Sequence, residues 1–129
     1  MYYNPLTTID DINNVVSSNS NTLVIIRIGD ISDPLTVSFD ELLFRIKNKI
    51  SKFVKIYFCE NIPEVVKGLG LSSSCLLIFY NNHLLEFNIE NEIQNYIDFL
   101  FEDEEMIEIL EECYEVGRKG KKIVKINIK

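Results

Sequence analysis

An α/β domain is what this sequence predicts: a central mixed β-sheet flanked by α-helices, with an extra helix ahead of the first strand. Three observations carry that expectation. Leu23 to Ile28 is a run of aliphatic residues broken only by Arg27, the pattern of a strand covered on both faces. Phe39, Leu42, Leu43, Ile46 and Ile50 then recur at helical spacing before a second apolar strand, Phe53 to Cys59. Cys75 to Tyr80 and His83 to Phe87 read as two more strands, separated only by Asn81 and Asn82.

The chain opens with a helix that Thr7 or Thr8 can cap, and Asp10 and Asp11 lie in its first turn against the positive end of the helix dipole. Ile9, Ile12, Val15 and Val16 share one face, and the polar run Ser17 to Asn21 ends it. After the first strand a tight loop of Ser32, Asp33, Pro34, Leu35 and Thr36 leads into the second helix, with Asp40 and Glu41 read as first-turn carboxylates rather than metal ligands. The following strand, Phe53 to Cys59, runs parallel to the first because a helix connects them. Pro63 to Val66 suggests a short helix, capped by Asn61 and ended by Gly68 and Gly70. The next two strands are antiparallel, since Asn81 and Asn82 tolerate the positive φ of a two-residue hairpin. Ile89 to Phe101 is apolar and reads either as a helix or as a packed loop. The last helix has Glu102 to Glu105 at its positive end, Arg118 and Lys119 at its negative end, and Gly117 or Gly120 as its stop. Met106, Ile109, Leu110, Cys113 and Tyr114 form its buried stripe. This is the order of a thioredoxin-like fold with an added N-terminal helix.

At 129 residues, 1–129 is expected to be a single domain with a basic C-terminal tail from about 118. With 47% hydrophobic and 26% charged residues the composition is that of an ordinary soluble globular protein. No apolar run approaches the roughly 20 residues that span a bilayer. MYYNPLTTIDDIN lacks the basic and apolar regions of a secretory signal, so the expectation is a reducing compartment. Cys59, Cys75 and Cys113 form neither a Cys-x-x-Cys pair nor a zinc spacing, and are read as small buried hydrophobes. The formal net charge of −7 is unevenly spread: residues 86 to 115 hold twelve acids and no Lys or Arg, and the last twelve residues hold six bases. An acidic body repels phosphate and excludes a duplex-binding module. Arg118, Lys119, Lys121 and Lys122 are candidates to touch RNA or an acidic partner surface.

Several segments together resemble a known family, the thioredoxin-like protein of the spliceosomal U5 small nuclear ribonucleoprotein, or Dim-type family. Arg27, Gly29, Asp33, Pro34, Asp40 and Glu41 match in register within VIIRIGDISDPLTVSFDELL. Ile56 to Phe58, Pro63 to Val65 and the hairpin LIFYNNH at Leu77 to His83 are also similar. So is EMIEILEECYEVGRKGKKIVKI, whose Gly117 to Gly120 turn resembles the family's Gly/Ala-Arg-Lys-Gly. The likeness covers nearly the whole chain. It implies a non-catalytic pre-mRNA splicing factor of the nucleus, a component of the U5 snRNP and the U4/U6.U5 tri-snRNP that docks on the largest U5 core protein near the 5′ splice site and leaves on activation. It also implies proximity to snRNA or pre-mRNA. The chain departs from the family at Ser32 and Thr36, where a Trp and a Cys are usual, and at Ser72 to Ser74, where a Pro is expected.

Dithiol chemistry needs a low-pKa thiolate at a helix N-terminus and a second thiol to resolve the mixed disulfide. Against the general thioredoxin pattern, Asp33 and Thr36 stand where the two cysteines would, Arg27 replaces the buried acid, and Ser74 replaces the groove proline. His83, the single histidine, reads as a solvated turn residue, and no phosphate-loop spacing exists. Arg27, with Gly29, is a structural or partner-contact position. Its guanidinium either pairs with a carboxylate or carbonyl cluster or reaches solvent at the strand end. The leading expectation is a protein–protein adaptor with no cofactor, metal, membrane or small-molecule substrate. Two readings stay open beside it: a monothiol thioredoxin-like redox protein using Cys59 or Cys75, and a paralogous thioredoxin-like splicing factor with other partners.

Overall fold

Thr8 begins the first helix, α1 (Ile9–Ser18): its hydroxyl accepts from the Asp11 amide at 3.0 Å, and the Asp11 carboxylate accepts from the Thr8 amide at 3.1 Å. This reciprocal capping box satisfies two amide donors that a helix start leaves without partners. The structure is a computed structural model in which residues 5–60 and 74–127 are described. The expected helix at Pro63 to Val66, with Asn61, Gly68 and Gly70, lies outside the described residues, as do Ser72 and Ser73.

β1 (Leu23–Ile28) is buried along its whole length. It pairs in parallel with β2 (Val54–Cys59) and antiparallel with β3 (Cys75–Tyr80), which itself pairs with the two-residue β4 (His83–Leu84), giving the order β2-β1-β3-β4. Successive side chains of a strand point to opposite faces, and β1 shows what that does to the core. Val24, Ile26 and Ile28 join Ile12 and Val16 of α1 on one face. Leu23 and Ile25 join, on the other, the buried stripes of α2 (Pro34–Ile50) and α3 (Asp103–Arg118). Helices therefore cover both faces of this mixed sheet. Ile9, expected on the buried face of α1, is 41% exposed. It lies in the first turn, beyond the strands that Ile12 and Val16 reach.

The single sheet expected from the sequence is in fact two. The strand opposite β3 changes partners at Leu85, whose amide donates to Ile78 O at 2.9 Å, while the next amide, Glu86, donates to Lys122 O at 2.7 Å. From there β5 (Glu86–Ile89) pairs antiparallel with β6 (Glu92–Gln94) and in parallel with β7 (Ile123–Ile126), forming a second sheet of order β6-β5-β7. The Ile89 to Phe101 segment, expected as a helix or a packed loop, is thus a hairpin return. Glu90 and Asn91 both take positive φ, 51° and 70°, as Asn81 and Asn82 do at 46° and 70°, the geometry of a two-residue hairpin turn. Ile97 then rejoins the first sheet through a reciprocal amide pair with Leu76, at 2.8 and 2.9 Å.

Of the two glycines expected to stop α3, Gly117 lies inside the helix, packed on Tyr80, and Gly120, at φ 75°, is the one that turns the chain after it. The basic tail from 118 is largely ordered structure, because Val124 and Ile126 alternate with exposed Ile123 and Lys125 and are buried as β7.

Candidate functional site

Between β1 and α2 the chain must turn from strand to helix, and the residues of the loop decide how. Asp33 is the cap of α2: its Oδ1 accepts from the Leu35 amide at 3.0 Å, and Pro34 occupies the first helical position, where its missing amide costs nothing. Helix α2 therefore starts at Pro34, and Asp40 and Glu41, expected in the first turn, belong to the second. Ser32 and Pro34 are exposed, Leu35 is half-buried, and Thr36 is fully buried.

Thr36 Oγ1 lies 2.5 Å from Ser74 Oγ, and Ser74 Oγ donates to Asp33 Oδ2 at 2.6 Å. Ser74 has one proton and gives it to the carboxylate, so Thr36 is the donor in the first contact. The result is a directed chain, Thr36 to Ser74 to Asp33, that fastens the loop to the start of β3. The Ser74 hydroxyl, followed by the Leu35 amide, holds the Asp33 carboxyl below its ordinary pKa of 3.8. Gly29 lies against this chain. A Cβ there would collide with Thr36 Oγ1 and fall 2.6 Å from Ser74 Oγ, so only glycine fits.

Arg27 shares the strand phase of Leu23 and Ile25 and so points to the α2 face, with no exposed surface. Asp40 of α2 meets it there in a bidentate pair, Nε–Oδ1 2.7 Å and Nη2–Oδ2 3.0 Å. Nη1 donates to Gly29 O at 2.8 Å, and the guanidinium sits 5.1 Å from the ring centroid of Phe58, its partner on β2. Desolvated charge of this kind persists only with such compensation. The sequence pointed to a partner for Arg27 but did not identify Asp40. The in-register spacing of Arg27 and Asp40, thirteen residues apart across a strand and a helix, was the available signal.

All three cysteines are buried and free. Burial pushes Cys59 up to about 11 and Cys75 up to about 12, and raises Cys113 as well. A redox thiolate requires the opposite direction, so the geometry speaks against the monothiol reading. Among the described residues no three His, Cys, Asp or Glu side chains converge on a metal-sized site, and no helix is long and apolar enough to cross a membrane. The hydrogen bonds of Asp33, Thr36 and Ser74 hold the loop in a fixed shape.

At the opposite end of α3, Arg118 donates to Glu115 at 3.2 Å and lies over the Tyr114 ring, while Lys119, Lys121 and Lys122 are exposed. Lys121 and Lys122 line a cavity shared with Tyr80, Asn81, His83, Gly117 and Gly120. The structure thus does not bring the redox-loop positions and the basic turn together into one site. No local pattern around Tyr80 and Asn81 marks a site, and only the packing of α3 on β3 places them beside the lysines.

A model of the family described as Mitosis protein DIM1 matches residues 2–129. The spliceosomal protein DIB1 of Candida glabrata is 29% identical over 117 residues, covering 88% of this chain and 82% of that protein. The mitosis protein dim1 of Schizosaccharomyces pombe is 30% identical over 117 residues, with 88% and 82% covered. The spliceosomal protein DIB1 of Saccharomyces cerevisiae is 30% identical over 120 residues, with the same coverage of 88% and 82%. Among solved structures, thioredoxin from Trypanosoma brucei brucei superposes with a TM-score of 0.53 at 14% identity, covering 66% of this chain and 77% of that one. That likeness shows the fold, which is thioredoxin-like.

Proposed function

The chain belongs to the family described as Mitosis protein DIM1, and from that membership we propose that it is a nuclear pre-mRNA splicing factor. It acts without turnover as a protein–protein adaptor of the U5 snRNP and the U4/U6.U5 tri-snRNP, with the largest U5 core protein among its partners and snRNA or pre-mRNA close by. The single observation that carries the reading is the match along residues 2–129, with relatives that are themselves named spliceosomal proteins. Geometry supports the non-catalytic part. At the positions where thioredoxin chemistry needs thiols, Asp33 and Thr36 are tied through Ser74 into a buried hydrogen-bond chain, and the three thiols of the chain are buried with raised pKa values.

A shape-based adaptor needs a fixed surface rather than a reactive one. The loop is fixed by the Asp33 cap and the Thr36–Ser74–Asp33 chain, and the base of the loop by Arg27 on Asp40 and on Gly29 O. The test is affinity purification of a tagged copy from nuclear extract. Co-purification of tri-snRNP proteins and U5 RNA is the expected result, and recovery of neither would overturn the reading.

A further inference from the structure

The cavity between the β3–β4 hairpin and the end of α3 differs in charge from the rest of the molecule. It has a volume of about 380 Å³ and is lined by Tyr80, Asn81, His83, Gly117, Gly120, Lys121 and Lys122. In a chain of net charge −7, its described lining holds two lysines, a histidine and no carboxylate.

Local structure explains how it forms. Gly117 lets α3 lie directly on Tyr80, since a Cβ at 117 would fall 2.6 Å from Tyr80 Cγ. That contact sets the end of the helix against the hairpin. A helix C-terminus normally repels anions through its free carbonyls. Here three of them are taken: Glu115 O accepts from Lys119 N at 3.2 Å, Gly117 O from Gly120 N at 3.0 Å, and Val116 O from Lys121 N at 3.0 Å. Gly120, at φ 75°, then turns the chain so that Lys121 and Lys122 both border the opening. Across it, Asn81 is fixed by accepting from the Asn21 amide at 2.6 Å, and His83 is exposed at the turn.

We propose that this cavity binds the phosphate backbone of single-stranded RNA, Lys121 and Lys122 each meeting a phosphate and the His83 imidazole stacking on a neighbouring base. Lysine is a common phosphate ligand, serving as a point charge. The one arginine nearby, Arg118, is already engaged by Glu115 and Tyr114. The exposed His83 imidazole beside the lysines is a surface on which an unpaired base stacks, a contact that an acidic peptide does not use, and it favours RNA. The inference rests on the splicing reading for the presence of RNA in the protein's surroundings.

The experiment is fluorescence anisotropy of a labelled oligouridylate with the full chain at rising KCl. Three proteins are compared: the wild type, Lys121→Glu/Lys122→Glu, and Lys52→Glu/Lys55→Glu, which changes net charge equally at exposed lysines outside the cavity. Binding by the wild type is expected, weakened at least about tenfold by the 121/122 change, with a salt slope shallower by about 1.4, at roughly 0.7 per phosphate of a single strand. The 52/55 variant should bind within about twofold of the wild type. Circular dichroism checks that all three are folded. No binding by the wild type at low salt, or equal losses in both variants, would overturn the proposal. So would binding of a poly-glutamate peptide, lost in the 121/122 variant, by a protein that ignores the oligouridylate. Recovery of tri-snRNP proteins by a chain that does not bind RNA would sink this inference alone, and failure of both would sink the splicing reading too.

Discussion

A guanidinium with no exposed surface, as at Arg27, depends on its partners for its place in the fold. Asp40→Ala removes the carboxylate that pairs with this buried charge, and is expected to cost about 3 kcal/mol, as for other broken buried pairs. The double change Arg27→Met/Asp40→Leu removes both charges and should recover most of that loss, because an apolar pair carries no desolvation penalty. Urea denaturation of the two variants measures the difference. The Thr36–Ser74–Asp33 chain gives a pH-dependent counterpart. Asp33 has its pKa depressed in the fold, first by Ser74, so its contribution to stability is present above 3.8 and is lost as pH falls through the lower folded value. Ser74→Ala also strands the buried Thr36 hydroxyl, at about 1–3 kcal/mol. The gap in stability between wild type and Ser74→Ala should therefore be wide at neutral pH and narrower in acid, read from urea midpoints across the two conditions.

At the scale of elements, helix α3 is held by a stripe of Met106, Leu110, Cys113, Val116 and Gly117 that differs in one respect from an ordinary apolar face. Its last member is a glycine because the Tyr80 ring already fills the space of a side chain. Gly117→Ala improves helix propensity by up to about 1 kcal/mol. It also drives a methyl to 2.6 Å from Tyr80 Cγ and within 2.9 Å of two neighbouring ring and stem carbons. Overpacking of a rigid ring costs typically about 1–3 kcal/mol, so the net change should be destabilising, seen as a lower melting temperature by circular dichroism. The exposed face of the same helix contributes far less. Arg45 and Asp103, joined at 3.0 Å, are 52% and 42% exposed, and a pair of that kind is worth at most about 1 kcal/mol.

At the scale of the whole molecule, the two sheets share one core. Phe87 of β5 and Val124 and Ile126 of β7 belong to the same buried cluster as Leu23, Ile25, Phe39 and Leu110. Neither sheet keeps its apolar face covered without the helices that cover the other. Urea unfolding should accordingly be a single transition, with far-UV circular dichroism and tyrosine fluorescence coinciding, the chain having no tryptophan. Two separated midpoints would contradict the single-domain expectation for 1–129.

Local pattern was enough for the elements whose signal is local. The continuous apolar run of β1, the helical spacing of Phe39 to Ile50, the Thr8 cap and the Asn81–Asn82 turn all follow from residues within one turn or one strand of each other. The thioredoxin-like fold and the absence of a dithiol in the loop were legible for the same reason. What the sequence left open depended on distant partners. Whether Arg27 was paired, that Asp40 was its partner, that Gly117 packed on Tyr80 instead of ending a helix, that the strand after Asn82 split at Leu85, and that the basic tail paired as β7 were all decided by tertiary contacts. Charge, strand pairing and a missing side chain have no local signature, because their energy lies in a neighbour that only the folded chain brings close.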